Sequence, residues 1–264
     1  MLIIGERINA TRKPIARALT DRNAEKIAHE ACIQAEAGAD FIDVNGASDP
    51  AHEAENLEWA LGVVQDTVDL PVCLDSANPE VLRQGIELVE SDRLMLNSAT
   101  AEEGKMQTVM EIAADSGALL VALAMNDDGV PKTADERVTI AARLIETAEE
   151  VGVPRDRVYV DPCVQPIGTD VAQGMEVISA VFRIMEGFPG VHTTCGLSNI
   201  SFGLPNRNLV NRTFLSCMIV AGLDSAILDP TEEGMTEAVV TGEAIAGKDD
   251  FCMNYIRAMR EMGV

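Results

Sequence analysis

Short apolar runs alternate with longer amphipathic segments along the whole chain. Each run is almost continuously apolar, which is typical of parallel strands that are buried on both faces. β-Branched residues are frequent in most of them, which also favours strands. The eight predicted strands are Leu2–Ile8, Asp40–Asn45, Pro71–Asp75, Arg93–Asn97, Leu119–Met125, Arg157–Asp161, His192–Gly196 and Asp224–Leu228.

The segments between these runs repeat apolar residues at helical spacing. Several of them stop at a glycine, for example Gly38, Gly117 and Gly152, where a left-handed residue ends a helix at low cost. Pro79 stands where a first-turn proline is favourable. The eight predicted helices are Ala24–Ala37, Glu53–Thr67, Pro79–Glu90, Glu102–Ser116, Ala134–Val151, Val171–Met185, Leu209–Ala221 and Glu232–Ala246.

Eight strand–helix units in strict alternation are the number that closes a (β/α)8 TIM barrel. The alternative is an open, doubly wound sheet, but the G-x-G-x-x-G turn with which such sheets bind dinucleotides is missing from the sequence. No low-complexity linker divides the chain. The sequence therefore predicts an α/β fold with a single barrel domain over residues 1–264.

The composition indicates which residue types fill the core and which class of partner is excluded. Apolar residues make up 47% of the chain but aromatic residues only 3%, so the core is expected to be aliphatic. The formal net charge is −23, and such a surface repels a phosphate backbone. Nucleic-acid binding is therefore not expected.

Cysteine spacing and hydropathy indicate the compartment. The six cysteines form no C-x-x-C pair, which gives no sign of a zinc knuckle or a redox motif and suits a reducing environment. The apolar start is interrupted by Glu6 and Arg7, which is too early for a secretory leader. No apolar run approaches the roughly 18 residues of a membrane span. We expect a cytoplasmic protein that does not associate with membranes.

Polar residues stand at the carboxyl ends of the predicted strands, where barrels of this kind carry their active sites. They are mostly carboxylates and amides, which accept hydrogen bonds from a ligand with several N–H groups. They are Glu6, Arg7 and Asn9, then Asp43 and Asn45, Asp75, Ser76 and Asn78, Asn97 and Ser98, Asn126, Asp161, Ser198 and Asn199, and Asp229.

Each acid also has a plainer interpretation, because a strand-end Asp often bonds only to the backbone of the next loop. Asp43 is expected to fix Arg7 or a loop, or to touch the ligand, and Asp229 before Pro230 to open a turn. Neighbouring carboxylates also hold Mg²⁺ in some barrels, but Asn97 interrupts the acidic series after Asp75, so no bound metal is expected.

Lysines and histidines exclude two other kinds of chemistry. None of the five lysines falls at a strand end, which argues against a Schiff-base aldolase. Of the three histidines only His52 can approach the mouth, so a histidine base or a histidine-rich metal site is not expected.

Several stretches resemble the pterin-binding methyltransferase family, over essentially the whole chain. The resemblance is most specific between Gly196 and Phe214, and it extends to the methyltetrahydrofolate:corrinoid protein methyltransferases and the folate barrel of cobalamin-dependent methionine synthase. The stretches are Leu2–Asn9, Asp43–Asn45, Cys73–Ser76, Asn97–Ser98, Met125–Asn126, Gly129–Pro131, Asp161–Pro162, Gly196–Arg207 and Asn211–Phe214.

The resemblance implies roles for particular residues. Asp75, Asn97 and Asp161 correspond to positions that hydrogen-bond the pterin ring, and Asn199 to the catalytic Asn that reaches N5. It further implies that the remaining members of the substrate site shape its floor or lie in the loop near the ligand. These members are Glu6, Gly196, Ser198, Phe202 and Arg207.

The resemblance also implies the reaction. Tetrahydrofolate or methyltetrahydrofolate is the expected substrate, and the nucleophile is the cobalt of a corrinoid, so the protein supplies none. None of the histidines lies in the Asp-x-His-x-x-Gly pattern of a cobalt-binding module, so cobalamin is expected on a separate corrinoid protein that docks at the mouth. No mouth residue is an evident strong acid, so the proton for N5 is expected to come from solvent. The family also implies a homodimer.

The sequence leaves open which subgroup of the family the chain resembles most, and it leaves two alternative functions. Phe202 stands where the acetogenic enzymes of the family have Gln, and it resembles the methionine-synthase version. A dihydropteroate synthase uses a similar barrel, but it needs basic residues in the loop that here runs from Gly196 to Gly203 without one. A folate-binding subunit without activity is the second alternative.

Overall fold

The computed structural model describes residues 1–263, which form eight strands surrounded by helices. The strands are β1 (Leu2–Asn9), β2 (Phe41–Asn45), β3 (Val72–Asp75), β4 (Leu94–Thr100), β5 (Leu119–Leu123), β6 (Val158–Asp161), β7 (His192–Thr193) and β8 (Ser225–Leu228). The α-helices are α1 (Lys13–Thr20), α2 (Ala24–Glu36), α3 (Glu53–Thr67), α4 (Pro79–Ile86), α5 (Met106–Ser116), α6 (Ala134–Glu150), α7 (Gln173–Gly187), α8 (Arg207–Val220), α9 (Met235–Ile245) and α10 (Met253–Glu261).

All strand pairs are parallel, and the order is β7-β6-β5-β4-β3-β2-β1-β8. The two outermost strands meet where Gly196 bridges to Ile227, and the Ile227 N–H donates to the Cys195 carbonyl at 2.9 Å. The sheet is therefore a nearly closed barrel, and the predicted α/β TIM-barrel class is confirmed.

The inside of the barrel is apolar at its amino-terminal end. Seven strands contribute to this cluster, and its buried members are Ile4, Phe41, Cys73, Met95, Val121, Tyr159 and Ile227. Side chains two residues apart lie on the same face of a strand. The next inward residues are Glu6, Asp43, Asp75, Asn97, Leu123 and Asp161. The interior therefore changes from apolar to polar within one step toward the carboxyl ends of the strands.

A second layer of the hydrophobic core lies between the strands and the outer helices. The buried members of its largest cluster are all Ile, Leu, Val, Ala or Met, as the low aromatic content predicts. Along the described residues 1–263, no helix combines the length and the apolar composition that crossing a bilayer requires.

Two helices and several strand ends differ from the sequence-based prediction. Helices α1 and α10 were not predicted, because both are short and the buried face of α1 amounts to only three residues, Ile15, Ala18 and Leu19. Strand β7 is shorter than predicted, since the Gly196 N–H points to the carboxylate of Asp161 and not into a strand ladder.

Candidate active site at the carboxyl ends of the strands

A cavity of about 930 Å³ opens at the carboxyl ends of the barrel strands. Its volume lies in the range of small-molecule sites. All nine residues that the sequence predicts for the substrate site line this one cavity, although they come from five strands or the loops that follow them. They are Glu6, Asp75, Asn97, Asp161, Gly196, Ser198, Asn199, Phe202 and Arg207. His52, which the sequence allowed to approach the mouth, is exposed, pairs with Asp49 at 2.7 Å and is not among the residues that line the cavity.

Asp161 is one of the enclosed carboxylates of the cavity, with a relative exposure of 5%. One of its oxygens accepts the Cys163 N–H at 2.7 Å, and the other accepts the Gly196 N–H at 3.3 Å. Burial raises the pKa of Asp161 to about 6, although these two N–H groups and the positive charge of Arg137 act in the opposite direction. Asp161 is therefore an oriented carboxylate that ionises close to neutral pH.

Arg137 supports Asp161 from behind, and sequence analysis did not find it. This α6 side chain is fully buried, and its guanidinium donates to the Pro162 carbonyl at 2.7 Å, to the Lys132 carbonyl at 3.0 Å and to Gln173 Oε1 at 2.7 Å. Since Pro162 follows Asp161 directly, Arg137 holds the turn that carries the carboxylate. In the sequence it is one arginine in a polar helical segment, and no pattern distinguishes it.

Asp43 and Asp75 form a pair of acids deep in the mouth. Asn97 Nδ2 donates to Asp43 Oδ1 at 3.3 Å, and Asn9 Nδ2 donates to Asp75 Oδ2 at 3.3 Å. Burial, and next the negative charge of Asp75, raise the pKa of Asp43 well above its usual value, and burial also raises the pKa of Asp75. Two buried acids this close do not both ionise easily. Of the alternatives for Asp43, the contact with Arg7 was wrong, because its partner is Asn97.

A β-bulge in β1 separates the directions of two neighbouring side chains. Gly5 pairs with Ile42 and Ile8 with Val44, so β1 has one residue more than β2 between these pairs. Bulges of this kind re-aim side chains and are frequent next to active sites. Glu6 enters the mouth, whereas Arg7 turns to other partners.

The partners of Arg7 are Glu30 on α2 and Asp229, which lines the cavity. Its Nε donates to Glu30 at 2.6 Å, and its Nη1 donates to Asp229 at 2.5 Å. Asp229 also accepts the Thr231 N–H at 3.0 Å, as expected of an Asp that opens a turn. This ion-pair network links β1 with α2 and with the loop after β8.

Glu6 Oε1 accepts a hydrogen bond from Ser198 Oγ at 2.5 Å, across 192 positions of sequence. Burial of the carboxyl group raises the pKa of Glu6 to about 7, the bond from Ser198 lowers it, and the negative charges of Asp229 and Glu232 raise it further. Glu6 is thus an acid whose protonation changes around neutral pH.

Ser198 and Asn199 lie in a 3-10 turn, Leu197–Ser201, directly after β7. Arg207 holds this turn, since its Nη2 donates to the Ser198 carbonyl at 2.6 Å and its Nε to Ser201 Oγ at 3.0 Å. A Cβ at position 196 would come within 3.1 Å of Asn199 Nδ2. Gly196 therefore leaves room for the Asn199 amide, which is exposed to the cavity.

Comparison with known proteins identifies the family. A family profile described as "Pterin binding enzyme" matches residues 5–229, which is most of the chain. The chain belongs to the pterin-binding enzyme family. The matched range of this pterin-binding enzyme includes all nine site residues named above.

Two relatives of this pterin-binding enzyme are similar in sequence. A methylcorrinoid:tetrahydrofolate methyltransferase of Eubacterium limosum is 35% identical over 263 residues, which cover 99% of this chain and 97% of the relative. A methionine synthase of Mycobacterium leprae is 33% identical over 248 residues, which cover 86% of this chain but only 20% of that protein.

Solved structures agree in fold. The dihydropteroate synthase from Xanthomonas albilineans in complex with 7,8-dihydropteroate superposes with a TM-score of 0.71 at 19% identity, over 92% of each chain. The Yersinia pestis dihydropteroate synthase gives the same TM-score at 14% identity over 93% of each chain. At these identities the likeness concerns the barrel alone.

Proposed function

We propose that this pterin-binding enzyme transfers a methyl group between N5 of tetrahydrofolate and a corrinoid carried by a separate protein. The similarity to the methylcorrinoid:tetrahydrofolate methyltransferase, which extends along nearly the whole of both chains, is the observation that carries this proposal. The hydrogen-bonding groups of the cavity also support a pterin substrate.

The cavity matches the hydrogen-bonding edge of a pterin. A pterin offers an N3–H and an amino group as neighbouring donors, and a carboxylate accepts from both. Asp161 is oriented for this role by its two backbone bonds, and Asp75 and Asn97 stand on neighbouring strands in register with each other. Because burial favours the neutral acid at Asp161, the binding of N–H donors favours its ionised form.

Asn199 is proposed to act on N5. Its amide group donates a hydrogen bond to the nitrogen lone pair that is freed when the methyl group leaves, and this bond strengthens as charge develops there. The missing Cβ at Gly196 leaves room for the amide, and Arg207 holds the turn that carries it in place before the ligand binds. Preorganisation of this kind avoids rearrangement during the reaction.

The corrinoid is proposed to arrive on a partner that docks over the barrel mouth. Its cobalt accepts or supplies the methyl group, so the chain itself needs no nucleophile. Phe202 at the rim is 67% exposed and Leu209 is 47% exposed, which gives the partner apolar surface beside the cavity. We further propose a homodimer in the cytoplasm and no tightly bound metal, to be tested by sedimentation, fractionation and metal analysis.

Two alternatives make different predictions. A dihydropteroate synthase would need a cation for its pyrophosphate leaving group, and the loop from Gly196 to Gly203 contains none. A binding protein without activity would retain folate affinity but give no turnover. Both are distinguished by the assay below.

The test is an anaerobic absorbance measurement of the protein mixed with methyltetrahydrofolate and free cob(I)alamin. We expect the cob(I)alamin band to be lost as methylcobalamin forms. Asn199→Ala should lower the rate by about 100-fold or more, as loss of a transition-state donor does, while calorimetry still detects folate binding. Asn254→Ala, on the distant helix α10, is the matched control and should retain the rate of the unaltered protein.

Absence of folate binding in the unaltered protein would refute the proposal. Folate binding without methyl transfer, to free cobalamin or to a corrinoid protein, would favour the binding-protein alternative. An Asn199→Ala rate near that of the unaltered protein would remove the role assigned to Asn199.

A further inference from the structure

Methyl transfer at N5 requires a proton to be taken up or released, and an ordinary carboxylic acid is too strong to hold one at neutral pH. Because no mouth residue is an evident strong acid, the sequence predicts that the proton comes from solvent. Glu6 is a mouth residue to which this reasoning does not apply, because its surroundings differ from those of an exposed acid.

Two features of the fold bring Glu6 to this position. The bulge in β1 turns its side chain into the mouth, and Ser198 Oγ meets its Oε1 at 2.5 Å. Ser198 directly precedes Asn199 on the same turn, which Arg207 fixes through the Ser198 carbonyl. The hydroxyl group thus bonds to the Glu6 carboxyl group and belongs to the residue next to Asn199.

A serine hydroxyl group both donates and accepts, so it can pass a proton on. When Glu6 is ionised, Ser198 donates to it; when Glu6 is protonated, Glu6 can donate to Ser198 Oγ, whose own proton is then free to point elsewhere. The same short contact therefore serves both protonation states.

Charged and titratable groups face Glu6 from several elements. Burial is the strongest influence on its pKa and raises it to about 7; Asp229 and Glu232 add to this effect, and Ser198 and Arg12 oppose it. Glu6 in turn raises the pKa values of two buried neighbours. The facing groups are Arg12 after β1, Asp43 on β2, Cys195 and Ser198 around the end of β7, and Asp229 and Glu232 after β8. A group whose pKa lies near 7 both donates and accepts protons efficiently at neutral pH.

We propose that the Glu6 carboxyl group holds the proton that is exchanged at N5 and passes it through the Ser198 hydroxyl group. The inference rests on the proposed methyl transfer and assigns a proton path to it. In this proposal Glu6, and not solvent, exchanges the proton with N5 directly. Exchange with solvent then restores the protonation state of Glu6 after each turnover.

The step balances in both directions. In transfer to the corrinoid, the bond between the methyl carbon and N5 breaks, and its electron pair stays on N5. N5 then takes the hydroxyl proton of Ser198, while the Ser198 oxygen takes the proton of the Glu6 carboxyl group. Glu6 is left as a carboxylate. The cobalt electron pair forms the new bond to the methyl group. In the reverse direction, N5 forms the bond to carbon, its proton passes through Ser198 to the Glu6 carboxylate, and the cobalt–carbon electron pair remains on cobalt.

The test is the pH dependence of the single-turnover rate, measured in both directions with free corrinoid. In the unaltered protein, transfer to the corrinoid should slow as pH rises through about 7, and transfer to the folate should accelerate over the same range. Glu6→Gln should lower both rates by about 100-fold, the usual size of a lost proton-transfer group, and remove both inflections. Glu6→Asp should retain an inflection, and Ser198→Ala should behave like Glu6→Gln.

The outcomes separate the two proposals. If the unaltered protein transfers no methyl group in either direction, with free corrinoid or with a corrinoid protein, the proposed function fails and this inference with it. If transfer occurs and Glu6→Gln keeps both inflections, the inference is overturned and the function stands. If Glu6→Gln does not fold, Ser198→Ala decides alone, and a normal pH profile for that variant overturns the path through Ser198.

Discussion

Replacement of Arg137 by methionine tests how a buried cation maintains the pterin site. The guanidinium makes three hydrogen bonds of 3.0 Å or less, to the carbonyls of Lys132 and Pro162 and to Gln173, and a longer one of 3.5 Å to the Cys163 carbonyl. Methionine fills much of the same volume but leaves the Pro162 carbonyl and Gln173 Oε1 without this donor, whereas the Lys132 carbonyl still accepts from Gln173 Nε2 at 3.2 Å.

The expected loss follows from these contacts. Each of the two unsatisfied acceptors costs about 1 kcal/mol or more, and the hydrogen bond lost at the Lys132 carbonyl costs about 1 kcal/mol, so together they give about 3 kcal/mol of lost unfolding free energy. Removal of a charge that was costly to bury offsets part of this, which leaves about 2 kcal/mol. Arg137→Lys keeps the charge but loses the forked geometry, and should fall between the two.

A second readout distinguishes support of the site from general stability. Arg137 lowers the pKa of Asp161, which burial holds at about 6. In the role proposed for Asp161, folate binding needs its carboxylate, so affinity should fall as pH drops through about 6 in the unaltered protein. In Arg137→Met the pKa of Asp161 rises, and the loss of affinity should begin at higher pH; in Arg137→Lys the midpoint should move less.

Urea denaturation measures the first effect, and calorimetric folate titration over a series of pH values measures the second. A stability loss below about 1 kcal/mol, which corresponds to less than one unsatisfied acceptor, would contradict the accounting of hydrogen bonds. An unchanged pH midpoint of folate binding would contradict the electrostatic link to Asp161.

Two further predictions concern the scaffold. Gly46→Ala should destabilise the protein by about 2 kcal/mol, as overpacking does, because the new Cβ would lie 2.6 Å from the Leu57 backbone nitrogen. Gly62→Ala, where nothing lies within 4 Å of the new Cβ, should instead stabilise α3 by about 0.5 kcal/mol. Equal urea midpoints for the two variants would contradict both predictions. Asp224 accepts from His192 at 2.6 Å and raises the pKa of His192. This pair therefore stabilises the fold below the unfolded histidine value of about 6.5 and loses its effect as pH rises through the raised folded pKa, so Asp224→Asn should remove this decline from the stability–pH curve.

The strands and every α-helix except α1 and α10 could be predicted from local pattern, which also places polar residues of the site at the strand ends. Buried parallel strands are recognisable as apolar runs, and the closure of eight of them brings their carboxyl ends to one mouth. Glu6, Asp75, Asn97, Asp161 and Asn199 could therefore be assigned to one cavity before any coordinates, although they are far apart in sequence.

The protonation of these residues could not be predicted in the same way. A pKa depends on how many atoms surround a carboxyl group and which charges face it, and both are set by contacts between distant segments. Glu6 meets Ser198 across 192 positions only because β1 bulges and the turn after β7 closes over it. Taken singly, Glu6 and Asp161 are ordinary acids, and the closed barrel makes both of them titrate near neutral pH.

Arg137 shows the same division at a residue outside the cavity. The alternation of apolar and polar positions placed it on a helix, and that local property needs no tertiary information. Its burial beneath the Asp161 turn depends on α6, α7 and the loop after β6 meeting in space. The chain by itself thus determined which residues reach the mouth, because strand period and barrel closure are local and general rules. Only the tertiary structure decided which charges are buried together, because that depends on packing between segments that the sequence keeps apart.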